Sequence, residues 1–147
     1  MVMHTGSCSC GHVEITASAE PLLVSMCHCL LCQKRTGSSY SVHAYFPSES
    51  VAVNGAKSYV RTGDSGAYVY FHFCPECGST MYWEVEPTPG RTGIPVGVFA
   101  DPTFHSPTAS SFVPLKHPWV LIPEGIPQQS GLHGRFGGGG GTALRRS

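Results

Sequence analysis

A charge surplus, a long apolar run and a repeating helical stripe are all missing from this 147-residue chain. Nine basic residues balance nine acidic ones, which removes the positive field expected of a protein that binds nucleic acid or an anionic membrane. No apolar stretch approaches the roughly 20 residues of a membrane span. The opening "MVMHTGSCSCGHVEI" has neither the basic segment nor the continuous apolar core of a secretory leader. The expected setting is therefore cytoplasmic, with a small molecule as partner and neither membrane nor nucleic acid. Several catalytic signatures are absent as well: no G-x-S-x-G elbow, no phosphate-cradling P-loop, no G-x-G-x-x-G opening a helix and no H-E-x-x-H.

What is present in quantity is glycine and proline, 18 and 12 residues, against only 12% charged residues. Such a composition predicts a mainly β, loop-rich body of short strands. Its length suits one domain with a modest core. Val13, Ile15 and Ala17 alternate with Glu14 and Thr16, the period of a half-buried strand. Further strands are expected at 40–46, 58–61, 67–73, 80–85, 94–99 and 119–122, each bounded by turn-forming residues. Residues 30–35 have room for at most a short helical turn, and 87–90 and the stretch around Asp101 read as loops. The chain is divided into a domain at 1–127 and a tail at 128–147. That tail includes five consecutive glycines and a terminal Arg-Arg, a composition expected to stay disordered because it cannot bury enough apolar surface.

Seven cysteines fall into three groups: Cys8-x-Cys10, Cys27-x-Cys29-x-x-Cys32 and Cys74-x-x-Cys77. In a reducing compartment an odd number of closely spaced thiols points to metal rather than to disulfides. Residues two apart on an extended strand face the same way, and a C-x-x-C turn brings two sulfurs to one cation. Gly11 and Gly78 directly follow such pairs, where a tight turn calls for positive φ. Two half-sites of two cysteines make one closed tetrahedral Zn2+ site, and joining the first group to the last would staple a small core. The remaining trio leaves a fourth position open, the arrangement of a catalytic zinc site. Three thiolates make that cation a better holder of an incoming thiol than an activator of water. The competing reading is a second structural site completed by His28, His43, His72 or an acidic residue. In an extended chain, His28 between two of the ligands would point away from their metal. Lys34 and Arg35 are candidate contacts for the carboxylates of an anionic thiol, against the alternative of a solvated basic turn.

The motifs "CSCGHVEI", "CHCLLCQKRTGSSYSV", "FHFCPECGSTMYWEV" and "HPWV", in this order and spacing, resemble the glutathione-dependent formaldehyde-activating enzyme family, which includes centromere protein V. The resemblance runs from about residue 6 to residue 122. It implies a β-tent-like zinc-binding fold of short antiparallel sheets with two zinc sites. Cys8, Cys10, Cys74 and Cys77 match the family's structural site, and Cys27, Cys29 and Cys32 match its open, catalytic one. It also implies a carbon–sulfur lyase that interconverts S-hydroxymethylglutathione with glutathione, as co-substrate, and formaldehyde. The alternative within the same family is a non-catalytic zinc-stabilised binding module in the manner of centromere protein V.

Overall fold

The computed structural model describes residues 2–63 and 66–131. Ten short strands occur along them: β1 (His4–Ser7), β2 (Glu14–Ala17), β3 (Leu23–Cys27), β4 (Ser41–Pro47), β5 (Val51–Val53), β6 (Lys57–Thr62), β7 (Tyr68–Phe73), β8 (Thr80–Val85), β9 (Arg91–Pro95) and β10 (Ala109–Ser111). One α-helix, α1 (Leu30–Thr36), follows β3. The chain is thus mainly β, as its composition predicts. The described residues form two compact units: the first takes in 2–22 and 44–104, the second 23–43 and 105–131.

In the first unit, β1, β2 and β5 form one antiparallel sheet in which Ile15 lies opposite both Gly6 and Val53. A second run of strands has the order β9-β8-β7-β6. The β6-β7-β8 part is a meander, with Tyr59 opposite Phe71 and Phe71 opposite Trp83. Alternation decides which side is core: Met81 and Trp83 on β8 are buried while Glu84 is exposed. Phe46, Ile15, Met81 and Ile94 are the largest fully buried apolar side chains. Phe46 meets Phe99 edge-on at 6.0 Å between ring centroids, a favoured aromatic geometry.

In the second unit, β3 and β10 pair in parallel, with Ser25 opposite Ala109 and Cys27 opposite Ser111. The strand pairs of the first unit are antiparallel, in keeping with the expected short antiparallel sheets. Residues 128–129, assigned from the sequence to the tail, run alongside β10: the Gln129 N–H donates to Ser110 O at 2.9 Å, and Ser110 pairs in parallel with Gln128. The glycine run itself lies outside the described residues.

Two expected strands differ. Only Ile94 and Pro95 of 94–99 belong to a strand, because the chain turns into a 3-10 segment at Val96–Phe99 immediately after Pro95. Residues 119–122 form no strand, and their apolar side chains include Trp119 at 69% and Leu121 at 86% exposure. Among the described residues, no helix is long and apolar enough to cross a membrane.

Candidate metal centres

The first unit brings Cys8, Cys10, Cys74 and Cys77 together, with their four sulfurs within 4.8 Å of one another. Two backbone turns do this. The Gly11 N–H donates to Cys8 O, and Gly11 has φ +80°; the Gly78 N–H donates to Cys74 O, and Gly78 has φ +79°. Both glycines adopt the left-handed conformation that the spacing called for. The loops are tied to each other through Ser79, whose hydroxyl accepts from the Ser9 N–H at 3.2 Å.

The geometry fits zinc. Cys10 Sγ lies 3.6 Å from Cys8 Sγ and 3.7 Å from Cys74 Sγ, and a tetrahedron with Zn–S bonds of about 2.3 Å places its sulfurs about 3.8 Å apart. None of the seven cysteines is in a disulfide. Backbone donors also point at sulfur: the Val13 N–H at Cys8 Sγ, 3.2 Å, and the Glu76 N–H at Cys74 Sγ, 3.4 Å. Proton affinities diverge within the set. Hydrogen bonds from the Ser79 hydroxyl and N–H, and from the Cys10 N–H, hold Cys77 down to about 5. A bond from His12 favours the Cys10 thiolate, but desolvation and the three neighbouring sulfurs outweigh it and push that thiol up to about 12. Four sulfurs this close ionise together only around a cation.

The second unit brings Cys27, Cys29 and Cys32 together, again with sulfurs within 4.8 Å. Cys27 ends β3 and is buried; Cys29 caps α1, where its sulfur accepts from the Cys32 N–H at 3.2 Å. Cys29 and Cys32 are half-buried, so the accessible side of the trio is theirs. Hydrogen bonds shared with Cys29 and Cys32, and then burial, push Cys27 well above the usual thiol range. Cys32 is favoured as thiolate by Cys27, but Cys29 and burial outweigh this and raise it to about 11, against the opposing pull of Arg35. A cation amid these sulfurs would favour the ionised form of all three. Among the described residues, no fourth His, Cys, Asp or Glu offers a ligand atom within 4.8 Å of all three sulfurs.

Arg35 is half-buried, and its Nη2 donates to Ser41 Oγ at 3.1 Å; Ser41 Oγ lies 3.3 Å from His43 Nδ1. Lys34 is exposed. Both basic residues lie in the last turn of α1, closed by the Gly37 N–H donating to Gln33 O at 2.9 Å. His28 is fully buried, its Nε2 2.9 Å from Ser110 Oγ. His72 packs flat on Tyr82, ring centroids 4.1 Å apart, with Ser58 Oγ 3.2 Å from its Nδ1.

Sequence reasoning missed four residues around the trio: Gln33, Ser110, Lys116 and His117. Gln33 donates from Nε2 to His28 O at 3.0 Å, and its Oε1 meets His117 Nε2 at 2.9 Å. Lys116 Nζ donates to Val120 O at 2.8 Å and His117 O at 3.2 Å, holding the turn that presents His117. The "HPWV" motif was the available signal for His117, though spacing along the chain could not say what it touches.

A family model described as glutathione-dependent formaldehyde-activating enzyme matches residues 3–114. The chain is 32% identical over 79 residues to a protein of Emericella nidulans, provisionally named a glutathione-dependent formaldehyde-activating enzyme; the match covers 54% of this chain and 40% of the relative. A Fusarium vanettenii protein of the same provisional name is 27% identical over 109 residues, covering 72% of this chain and 59% of the relative. The matches thus span about half the length of these relatives. In three dimensions the chain is similar to a crystal structure of a Rhodobacter sphaeroides protein, with a TM-score of 0.52 and 20% identity over 84% of this chain and 98% of that one. That likeness concerns the fold. Because the family model spans most of the chain, including all seven cysteines, this protein belongs to the glutathione-dependent formaldehyde-activating enzyme family.

Proposed function

We propose that the protein is a zinc-dependent carbon–sulfur lyase that interconverts S-hydroxymethylglutathione with glutathione and formaldehyde. One observation carries this reading: seven thiols separate into a set of four and a set of three. Four thiolates complete a tetrahedral zinc site and leave no position for a substrate, whereas three leave one. Zinc held by Cys27, Cys29 and Cys32 would favour the ionised form of a fourth sulfur ligand at neutral pH.

The chain's own residues then have distinct tasks. Cys8, Cys10, Cys74 and Cys77 hold the first unit together. Cys27, buried, anchors the trio, while Cys29 and Cys32 face the side from which a thiol arrives. Arg35, braced by Ser41 near Cys32, and exposed Lys34 offer positive charge to the carboxylates of glutathione. In the direction of adduct formation, the glutathione sulfur gives up its proton and forms the C–S bond to the aldehyde carbon. The carbonyl oxygen gains a proton and becomes the hydroxyl. The lyase direction breaks that bond and returns the proton to sulfur. Holding the two reactants together supplies most of the acceleration, since the addition is already facile in water.

Exchange NMR of glutathione, formaldehyde and their adduct at equilibrium tests the reading. Wild-type protein is expected to speed the exchange above the uncatalysed rate, and Cys29→Ser to abolish that increment while remaining folded. An exchange rate equal to buffer alone, with zinc bound at the trio, would remove the lyase assignment.

A further inference from the structure

We infer that Gln33 and His117 form a hydrogen-bonded brace that positions the Cys27–Cys29–Cys32 trio for its metal. The inference rests on the trio being a metal site, as proposed above. It starts from His28, the residue lodged between two of the three thiols. Its N–H donates to Ser111 O at 3.1 Å, its ring Nε2 lies 2.9 Å from Ser110 Oγ, and its carbonyl accepts from Gln33 Nε2 at 3.0 Å. Both of its backbone polar groups and its side chain are therefore held by residues outside the Cys27–Cys32 segment. The peptide linking Cys27 to Cys29 cannot rotate without breaking these bonds.

Of the three, the Gln33 bond is itself supported. The same carboxamide nitrogen reaches Leu115 O at 3.4 Å, and Oε1 lies 2.9 Å from His117 Nε2. With two carbonyls facing the nitrogen, the amide orientation is settled by its partners, and the oxygen faces His117. His117 then donates from Nε2, which fixes its neutral tautomer. Lys116 fixes the turn that presents His117, through its bonds to His117 O and Val120 O. The His117 ring also packs against the exposed Trp119, with centroids 5.5 Å apart. The result is a rigid path from the 115–120 segment to the backbone between two metal ligands. Neither Gln33 nor His117 is a metal ligand; both are positioning residues. Supports of this kind alter the affinity of a metal site about 10–100-fold when removed.

The test is cobalt(II) binding, followed by the thiolate-to-cobalt absorption bands and by competition with a chromophoric chelator, which separates the two sites by affinity. In His117→Ala and Gln33→Leu, the trio's affinity is expected to fall at least about tenfold and its bands to shift, with the four-thiol site unchanged. Gln33→Glu, nearly the same shape but presenting oxygen to His28 O and Leu115 O, is expected to fail like Gln33→Leu. His117→Gln, whose amide N–H can replace Nε2–H, is expected to recover most of the affinity. Unchanged trio affinity in the Gln33 variants would overturn the brace, as would equal weakening of both sites together with lost thermal stability. Should His117→Ala not fold, Gln33→Glu against His117→Gln still decides: equal affinity in the two overturns the brace. A wild-type trio that takes no cobalt overturns both the brace and the lyase reading, whereas a loaded trio indifferent to the variants overturns the brace alone.

Discussion

At the scale of single residues, the chemistry of the chain is concentrated in seven sulfurs gathered as four and three. The seven cysteines announce themselves by spacing, because a metal demands several ligands of one type within a few ångströms. His28 shows the opposite. Alternation along an extended chain turns its side chain away from the neighbouring thiols, but cannot say whether the other side faces water or protein. In the structure that side is covered, and Ser110, 82 positions away in sequence, supplies the partner. Burial, and then the charge of Lys116, hold the His28 pKa below its ordinary value. The sign follows. The unfolded chain takes up a proton near the ordinary histidine value of about 6.5, where the folded protein does not, so this group's contribution is present above that pH and is lost as pH falls toward the depressed folded value. Urea midpoints measured across the acid range should therefore fall less steeply in His28→Gln than in wild type. Parallel slopes would refute this, because protonation of the clustered thiols is common to both proteins.

At the scale of elements, the longer strands were legible, whereas the short β1 and β5 and the buried β3 and β10 were not. β7 and β8 lie close to where alternation placed them. β3, with its last four residues buried, reads "LVSMC" and shows no period of two, as expected of a strand enclosed on both sides. β10 is only "ASS" and has no apolar signal at all. The turn after Cys74-x-x-Cys77 was legible because positive φ narrows the choice of residue so strongly. Gly78 has open space around the position of a Cβ, so Gly78→Ala isolates the backbone cost, about 1–2 kcal/mol. Chelator-induced unfolding should begin at lower chelator concentration in this variant. An unaltered titration would mean that the turn relaxes without cost to the four-thiol site.

At the scale of the whole molecule, composition indicated a mainly β chain with a modest core, and metal sites are the expected supplement to such a core. The apolar part of the first unit still matters in its own right. Phe46 is fully buried, and Phe46→Ala should lower stability by about 3–5 kcal/mol by removing its contacts and leaving a cavity. Denaturant unfolding of the zinc-loaded protein reads this directly, and a loss below about 1 kcal/mol would mean that metal rather than packing dominates there. The division of labour between a closed four-thiol site and an open three-thiol site is the claim on which the functional reading depends. The zinc content of the purified, reduced protein, measured by elemental analysis with and without glutathione, tests it most directly. Two zincs per chain in wild type, and one in a folded Cys29→Ser variant, is the predicted result. A single zinc in wild type, unchanged by glutathione or by Cys29→Ser, would contradict it.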